Sequence, residues 1–228
     1  MPRMYILSGC NGSGKTTASY SLLPELLDCV EFVNSDEFAK SLSPFNPDAA
    51  YVMASRLMLL KTRYLFSLRR DFSIETTLAT RSLLKMVRSA REMGYSVTVL
   101  YFWLDSPELA VERVRARVAA GGHNIPEETI RRRYNVGLKY FFRDYAPLCD
   151  RWVLCDNSRP PFREVAEGNG RTMIIRDSIL YAQICERVNQ IEDPPVHVRD
   201  NYVPDTVVPQ EPANDGIPAK IDDVNDLP

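Results

Sequence analysis

The chain has 228 residues, enough for one sizeable α/β core, and a second independent domain is not expected. The N-terminal segment lacks the apolar run of a signal peptide, and no stretch approaches the roughly 20 apolar residues of a membrane span. The five cysteines include no CxxC pair and accompany no His-rich segment, which argues against a structural zinc site. We therefore expect a cytoplasmic protein that does not bind a membrane.

The formal net charge of −2 is unevenly distributed along the chain. Residues 191–228 carry nine acids and two bases (net −7), and residues 1–190 carry 21 acids and 26 bases (net +5). The basic body suits anionic small molecules, but its excess charge is too small to predict nucleic-acid binding. Because residues 191–228 also hold seven prolines, we expect a flexible acidic tail there, with partner binding by the tail as the alternative.

Short apolar runs that end in polar residues predict five buried strands, at residues 4–9, 30–36, 71–77, 95–105 and 150–157. Helical periodicity and end signals predict the main helices, at 48–70, 81–92, 107–120, 126–145 and near 178–190. A hairpin is expected within residues 162–177, around Gly168–Gly170. Strands alternating with helices predict an α/β fold, in which helices cover both faces of a parallel sheet.

The segment GCNGSGKTT, from Gly9 to Thr17, has P-loop spacing and lies between a predicted strand and a predicted helix. Its glycines allow backbone N–H groups to turn toward phosphates, and the helix N-terminus adds partial positive charge. Lys15 is expected to reach the β- and γ-phosphates, and the Thr16 hydroxyl to hold Mg²⁺. The residues predicted to bind ATP in this segment are Gly9, Asn11, Gly12, Ser13, Gly14, Lys15, Thr16 and Thr17.

The reaction class follows from what accompanies the P-loop. The body of the chain lacks the DxxG and NKxD motifs that GTPases need. Motor and AAA-type ATPases usually carry Asp-Glu at the end of an apolar strand, whereas Asp105 is followed here by Ser106. These absences favour a small-molecule kinase, in which a hydroxyl rather than water accepts the phosphate. The alternatives are a nucleoside or nucleotide kinase and a nucleotide-dependent binding protein that uses its acidic tail.

Candidate acceptor-side residues lie where predicted strands end, because ligands of such sheets bind beyond the carboxyl ends of the strands. Asp36 is predicted to be the base that takes the proton of the acceptor hydroxyl, although a helix-capping role fits the same residue type. Glu75 is predicted to contact the metal or the substrate, with pairing to a structural arginine as the alternative. Thr77 is a candidate substrate donor, although strand propensity accounts for it equally well.

Arginines flank the Gly121–Gly122 turn in a helix–turn–helix at about 107–145, the arrangement of a kinase lid. Arg113 and Arg117 share one helix face and are predicted to stabilise charge on the transferred phosphoryl group. Arg115 and Arg131 are expected to be solvated, with nearby glutamates as partners. Asn157 can border the adenine or belong to an ordinary turn.

The segments FVNSDEFA, FSIETTLATR and ERVRARVAAGGHNIPEETIRRRY, together with the P-loop and in this order, resemble the zeta toxin family of P-loop kinases. The resemblance covers about residues 4–177 and implies a P-loop NTPase three-layer sandwich with a kinase-type sheet and a helical lid. It implies that the P-loop strand lies between the third and fourth strands, which places Glu75 beside Lys15.

The family resemblance also implies ATP, Mg²⁺ and phosphorylation of a nucleotide sugar, UDP-N-acetylglucosamine, with an antitoxin protein as a possible partner. Asp36 then matches the base, and Glu75 and Thr77 match the substrate-side motif. The toxins carry an arginine where we align His123, so His123 becomes a substrate-side candidate and Arg132 or Arg133 can compensate. On this interpretation residues 1–190 form the kinase domain and residues 191–228 the tail.

Overall fold

The structure is a computed structural model that describes residues 1–122 and 124–192, so His123 and residues 193–228 lie outside the described residues. Five strands overlap the predicted apolar runs, and two more form the predicted hairpin. The strands are β1 (Arg3–Ser8), β2 (Phe32–Val33), β3 (Phe72–Thr76), β4 (Ser96–Trp103), β5 (Arg151–Asp156), β6 (Arg163–Gly168) and β7 (Met173–Ile175).

Helices occupy the segments between the strands, in broad agreement with the predicted positions. The α-helices are α1 (Lys15–Ser21), α2 (Ser35–Leu42), α3 (Tyr51–Ser67), α4 (Leu83–Glu92), α5 (Pro107–Ala119), α6 (Glu127–Tyr140) and α7 (Ser178–Gln190). Shorter turns precede α3 as a 3₁₀ helix (Pro47–Ala50) and follow α1 and α6 as π-helices (Leu22–Leu26 and Phe141–Tyr145). No helix in the described ranges is long and apolar enough to cross a bilayer.

The strands form one sheet in the order β2-β3-β1-β4-β5-β6-β7. The first five strands are parallel, and β1 lies between β3 and β4, as the family resemblance predicts. Leu7 of β1 pairs with Glu75 of β3, so the phosphate loop and the end of β3 are neighbours. β6 pairs antiparallel with β5, and β7 pairs antiparallel with β6. The sequence pattern predicted the hairpin but not its position beside β5.

Helices cover both faces of the sheet, which confirms the predicted three-layer α/β class. Ile6 and Val99 belong to the larger apolar cluster, which includes side chains of α3, α4, α6 and α7. Leu7 and Leu100, their neighbours along the strands, belong to a smaller cluster with side chains of α1. The two faces are thus filled by alternate residues of the same strands.

The second predicted strand, 30–36, is wrong in extent, because only Phe32–Val33 pairs with the sheet. Asn34 ends the strand by capping α2: its side-chain oxygen accepts hydrogen bonds from the N–H groups of Asp36 (2.8 Å) and Glu37 (3.4 Å). The helix-capping alternative for Asp36 is therefore wrong, since the neighbouring asparagine performs that role.

The predicted helix–turn–helix is present as α5 and α6. The Ser106 hydroxyl caps α5 as expected, accepting a hydrogen bond from the N–H of Leu109 at 3.2 Å. The pair buries a separate apolar cluster that includes Val114 and Ile130 and reaches Cys10 in the phosphate loop. This packing connects the predicted lid to the loop.

Candidate active site

The loop between β1 and α1 has a backbone that only glycine adopts readily. Gly9, Gly12 and Gly14 have φ angles of 138°, 80° and 82°. A Cβ at Gly9 would lie 2.3 Å from the carbonyl oxygen of Phe102, and one at Gly12 would lie 2.6 Å from that of Ala110. The glycines therefore keep the loop both turned and closely packed, as a phosphate cradle requires.

Lys15 is buried at the start of α1, with 6% of its surface exposed. Its ammonium donates hydrogen bonds to the carbonyl oxygens of Gly9 (2.9 Å) and Cys10 (2.8 Å). It also lies 4.0 Å from Glu75 Oε1. The carbonyl oxygens of the loop thus hold the Lys15 ammonium, and the Glu75 carboxylate lies beside it.

Glu75, near the end of β3, is the centre of a polar network. Its carboxylate accepts hydrogen bonds from the Thr16 hydroxyl (2.8 Å to Oε2) and from the side-chain amide of Asn34 (2.8 Å). Burial raises the pKa of Glu75, and Lys15, the Thr16 hydroxyl and the Asn34 amide only partly oppose that effect. The alternative partner, a structural arginine, does not contact Glu75 among the described residues.

Asp36 lies in the first turn of α2, directly beyond the end of β2. The Tyr51 hydroxyl donates a hydrogen bond to its Oδ1 at 3.2 Å. The negative charge of Asp36 contributes to the raised pKa of Glu75, which places the two carboxylates within electrostatic reach. Thr77 follows β3, and its hydroxyl makes no hydrogen bond to any residue that the structure describes.

The predicted lid arginines differ in their surroundings. Arg113 donates to the carbonyl oxygens of Asn157 (2.9 Å) and Ser158 (3.0 Å), and so holds the turn after β5. The side-chain amide of Asn157 in turn donates to the carbonyl oxygen of Ser13 at 2.7 Å, so it braces the phosphate loop. Arg117 is exposed one turn further along α5.

The arginines of α6 also divide into two kinds. Arg131 and Arg115 pair with Glu127 at 2.8 and 2.7 Å, which confirms the solvated, glutamate-paired role expected for both. Arg133 instead reaches the phosphate loop, where it donates to Asn11 Oδ1 at 3.1 Å. Its Nε is buried and has no hydrogen-bond partner in the part of the chain that the structure describes. Arg132, predicted on the substrate side, is half-buried on the same helix.

Two residues of this network were not identified as site residues from the sequence. Asn34 both caps α2 and binds Glu75, and an asparagine just before Ser35, Asp36 and Glu37 is a capping signal that could have revealed it. Tyr51 reaches Asp36 from the start of α3, 15 residues away. No local pattern gives that contact, because it depends on how α2 and α3 pack.

The oxygen atoms of Thr16 and Glu75 at this sheet edge suit Mg²⁺ that is bound jointly by the protein and by phosphate, rather than a metal ion whose ligands all come from the protein. The described ranges contain no group of three or more His, Cys, Asp or Glu residues that could hold a metal ion. The Thr16 hydroxyl and the Glu75 carboxylate are joined by a hydrogen bond beside the cradle. Mg²⁺ is usually bound by one or two such groups together with phosphate oxygens and waters.

Solved structures share this architecture. A chain of the AvrRxo1-ORF1:AvrRxo1-ORF2 complex with sulphate ions matches with a TM-score of 0.64 at 17% identity, over 81% of this chain and 63% of that chain. This protein therefore spans less than two thirds of that relative. A chain from the PezAT chromosomal toxin-antitoxin system of Streptococcus pneumoniae matches with a TM-score of 0.57 at 15% identity, over 84% of this chain and 87% of that one. At these identities the likeness shows the fold.

Sequence comparison assigns the family. A Haemophilus influenzae protein of uncharacterised function is 33% identical over 127 residues, which make up 55% of this chain and 88% of that protein. A match to an AAA domain assigns the P-loop domain and not the reaction, so the expectation of a kinase rather than an ATPase is unaffected. The family described as AAA domain matches residues 4–135, more than half of the 228 residues, so the chain belongs to that family.

Proposed function

We propose that the protein is an ATP-dependent phosphotransferase that moves the γ-phosphate of ATP to a hydroxyl group of a small molecule. One observation carries the proposal: Lys15, Glu75 and Asp36 follow one another along the edge where β1, β3 and β2 end. The Lys15 ammonium suits the phosphates of the donor, and the Glu75 carboxylate, beside the Thr16 hydroxyl, suits the metal. The Asp36 carboxylate, further along the edge, suits the acceptor hydroxyl.

The phosphate loop supplies the donor side. Lys15 would exchange its hydrogen bonds to loop carbonyls for bonds to the β- and γ-phosphates. The backbone N–H groups from Gly9 to Thr17 would surround the remaining phosphate oxygens. Thr16 and Glu75 would hold Mg²⁺, whose charge offsets the negative charge on the phosphates during transfer.

Asp36 supplies the acceptor side. Its carboxylate is positioned by the Tyr51 hydroxyl and is partly exposed, so an incoming hydroxyl group can reach it. Asp36 takes the proton as the hydroxyl oxygen bonds to the γ-phosphorus, and the bond from that phosphorus to the β–γ bridging oxygen breaks to release ADP.

Negative charge on the transferred group requires donors from the lid. We propose Arg117 for this role together with Arg133, because Arg133 already contacts the phosphate loop through Asn11. Arg113, the second arginine expected from the sequence, holds two backbone carbonyls and so positions the Asn157 turn.

The acceptor is proposed from the zeta toxin resemblance and is a UDP-sugar such as UDP-N-acetylglucosamine. Thr77 and Arg132 would contact it, as would His123, which lies outside the described residues. One fold relative comes from a toxin-antitoxin system, which supports the likeness to toxins. A structure of AvrRxo1-ORF1:-ORF2 with ATP supports ATP as the donor and does not bear on the acceptor. An antitoxin partner is proposed on the same basis.

The test incubates the protein with ATP and a panel of UDP-sugars and nucleosides, and measures by mass spectrometry which of them gains a phosphate. Asp36→Asn should lower kcat by about 10²- to 10⁴-fold, because it removes the proton acceptor and retains the shape. Glu37→Gln, the matched control one residue away, should leave kcat unchanged, since Glu37 pairs with Lys40. Equal transfer by wild type and Asp36→Asn would remove Asp36 from the mechanism.

The panel also separates the other candidate functions. Transfer to nucleosides but not to UDP-sugars would identify a nucleoside-type kinase. ATP binding without transfer to any acceptor would contradict phosphotransfer and would instead support a nucleotide-dependent binding protein that uses its acidic tail.

A further inference from the structure

A second cleft, of about 730 Å³, lies between the ends of β4 and β5, the turn that follows β5, and α7. Trp103 and Asp156, the last residues of β4 and β5, are paired in register and line it. Gln183 and Arg187 line it from α7, where a spacing of four residues places them on one side of the helix. The volume lies within the usual range of small-molecule sites.

This cleft is separate from the phosphate loop. None of its lining residues belongs to the loop, and neither Asp36 nor Glu75 is among them. Trp103 packs in the apolar cluster that includes α7, whereas its neighbour Phe102 packs in the cluster that includes α1. Because successive strand residues point to opposite faces, the cleft and α1 lie on opposite faces of the sheet.

The arginines of the cleft are not fully neutralised by its acids. Arg163 pairs with Asp156 at 3.1 Å. Arg187 donates to the Tyr134 hydroxyl (2.7 Å) and to the carbonyl oxygen of Asp105 (2.8 Å), and so remains a cation without a carboxylate partner among the described residues. Arg159 is exposed and makes no ion pair or hydrogen bond within the described ranges. Asp105 is the second acid of the lining, so three arginines face two carboxylates and the cleft keeps a net positive charge of one.

Trp103 adds an unused hydrogen-bond donor. It is 7% exposed, and its indole Nε1 is buried with no hydrogen-bond partner in residues 1–122 and 124–192. Buried polar groups in native proteins nearly always have a partner, so this unpaired donor is unusual. Because the nitrogen is closed off from solvent, it is the edge of the Trp103 ring rather than its N–H that borders the cleft.

From this combination we propose that the cleft is a second binding site, for a small organic anion that carries a phosphate or carboxylate group. Arg159 and Arg187 would contact the anionic oxygens, since guanidinium groups match both phosphate and carboxylate geometry. The Trp103 ring would border the bound ligand, so its indole signal would report binding. The ligand would bind beside the turn whose Asn157 braces the phosphate loop.

The test uses the indole N–H signals of the full chain in ¹H–¹⁵N NMR spectra, titrated separately with inorganic phosphate and with citrate at constant ionic strength. The protein has two tryptophans, so Trp103→Phe assigns both signals. We expect the Trp103 signal to shift saturably with at least one anion, which identifies the preferred group, while the Trp152 signal stays fixed.

Three variants decide where the anion binds. Arg159→Ala should weaken binding by about tenfold, and Arg159 has no described contacts whose loss could unfold the protein. Arg171→Ala removes an equally exposed arginine from the β6–β7 turn and should have no effect, as should Lys15→Ala. Three results would each overturn the proposal. The first is the absence of a saturable Trp103 shift, and the second is a weakening of binding by Arg171→Ala equal to that by Arg159→Ala. The third is a shift that Lys15→Ala abolishes and Arg159→Ala leaves unchanged.

Discussion

At the scale of single residues, the site depends on a carboxylate in an environment that disfavours its charge. Glu75 is 11% exposed at the side chain and accepts hydrogen bonds from a hydroxyl and an amide. Its nearest cation, Lys15, is shared with two loop carbonyls. Desolvation therefore outweighs these favourable contacts, and the pKa of Glu75 is raised.

This raised pKa predicts a specific pH dependence of stability. Between the unfolded and folded pKa values of Glu75 the native state binds more protons than the unfolded state, so the contribution of Glu75 to the free energy of unfolding falls as pH rises. Glu75→Gln cannot titrate, so the wild-type free energy of unfolding minus that of the variant should fall from pH 4.5 toward neutrality in urea titrations.

Glu167→Gln is the control with the opposite sign. A hydrogen bond from Arg151 lowers the pKa of Glu167, so this residue stabilises the fold above its unfolded pKa and loses that contribution as pH falls. The corresponding difference for Glu167 should rise with pH. A difference for Glu75 that rises with pH as well would contradict the interpretation of its burial.

At the scale of elements, the start of α2 connects helix stability to the site. Asn34 uses its oxygen to cap α2 and its amide to hold Glu75, so one side chain orders both the strand end and the carboxylate network. Ser106 caps α5, and among the described residues its hydroxyl hydrogen-bonds to Asp105 and Leu109 rather than to any site residue. The Ser106 cap therefore has a structural role only, whereas the Asn34 cap is also connected to the phosphate loop through Glu75.

We expect Asn34→Ala and Ser106→Ala each to lower the free energy of unfolding by about 1 kcal/mol, the usual cost of losing a helix N-cap, measured by urea titration. Only Asn34→Ala should also weaken ATP binding, because it releases the Glu75 carboxylate beside Thr16. Equal ATP affinity in both variants would show that the Asn34–Glu75 hydrogen bond has no part in nucleotide binding.

At the scale of the whole molecule, long-range packing joins α6 to the sheet edge that carries the site. Gly137 of α6 lies against the end of β3, and a Cβ there would come within 2.5 Å of the carbonyl oxygen of Thr77. Helix and strand end can approach this closely only because the helix has no side chain at that point. The position of Thr77 thus depends on a residue 60 positions away in the sequence.

Gly137→Ala should lower the free energy of unfolding by about 1–3 kcal/mol, since the obstructing atom is backbone and the helix or β3 must shift. Gly170→Ala is the matched control, because a Cβ at Gly170 meets nothing within 4 Å, and its effect should stay within about 0.5 kcal/mol. Similar midpoints for both variants in thermal unfolding would refute the close-packing argument.

The domain boundary is also a property of the whole molecule, and we propose that residues 1–190 are the folded kinase unit. A chain truncated after Glu192 keeps Ile191, which packs against the main apolar cluster. It should retain the unfolding midpoint of the full chain within about 2 °C, because the acidic, proline-rich remainder has little apolar surface to bury. A clearly lower midpoint would move the boundary into residues 193–228.

The sequence by itself determined the features that depend on local rules. The glycine and lysine spacing from Gly9 to Thr17 defined the phosphate loop, and alternating apolar runs and helix signals gave the α/β class. The polar end of an apolar strand identified Glu75, and the family resemblance placed that strand beside β1. The phosphate loop, the α/β class and Glu75 follow from backbone geometry and periodicity, which neighbouring residues impose on one another, whereas the position of that strand beside β1 is what the family resemblance implies.

Only the tertiary structure decided which side chains meet. The Tyr51 hydroxyl donates a hydrogen bond to Asp36. Arg113 donates to the carbonyl oxygens of Asn157 and Ser158, whereas Arg133 contacts the phosphate loop. The tertiary structure also buried the indole N–H of Trp103, beside a second cleft, away from any acceptor among the described residues. Such contacts join residues far apart in the chain, and they depend on how helices pack on the sheet, which no local pattern encodes.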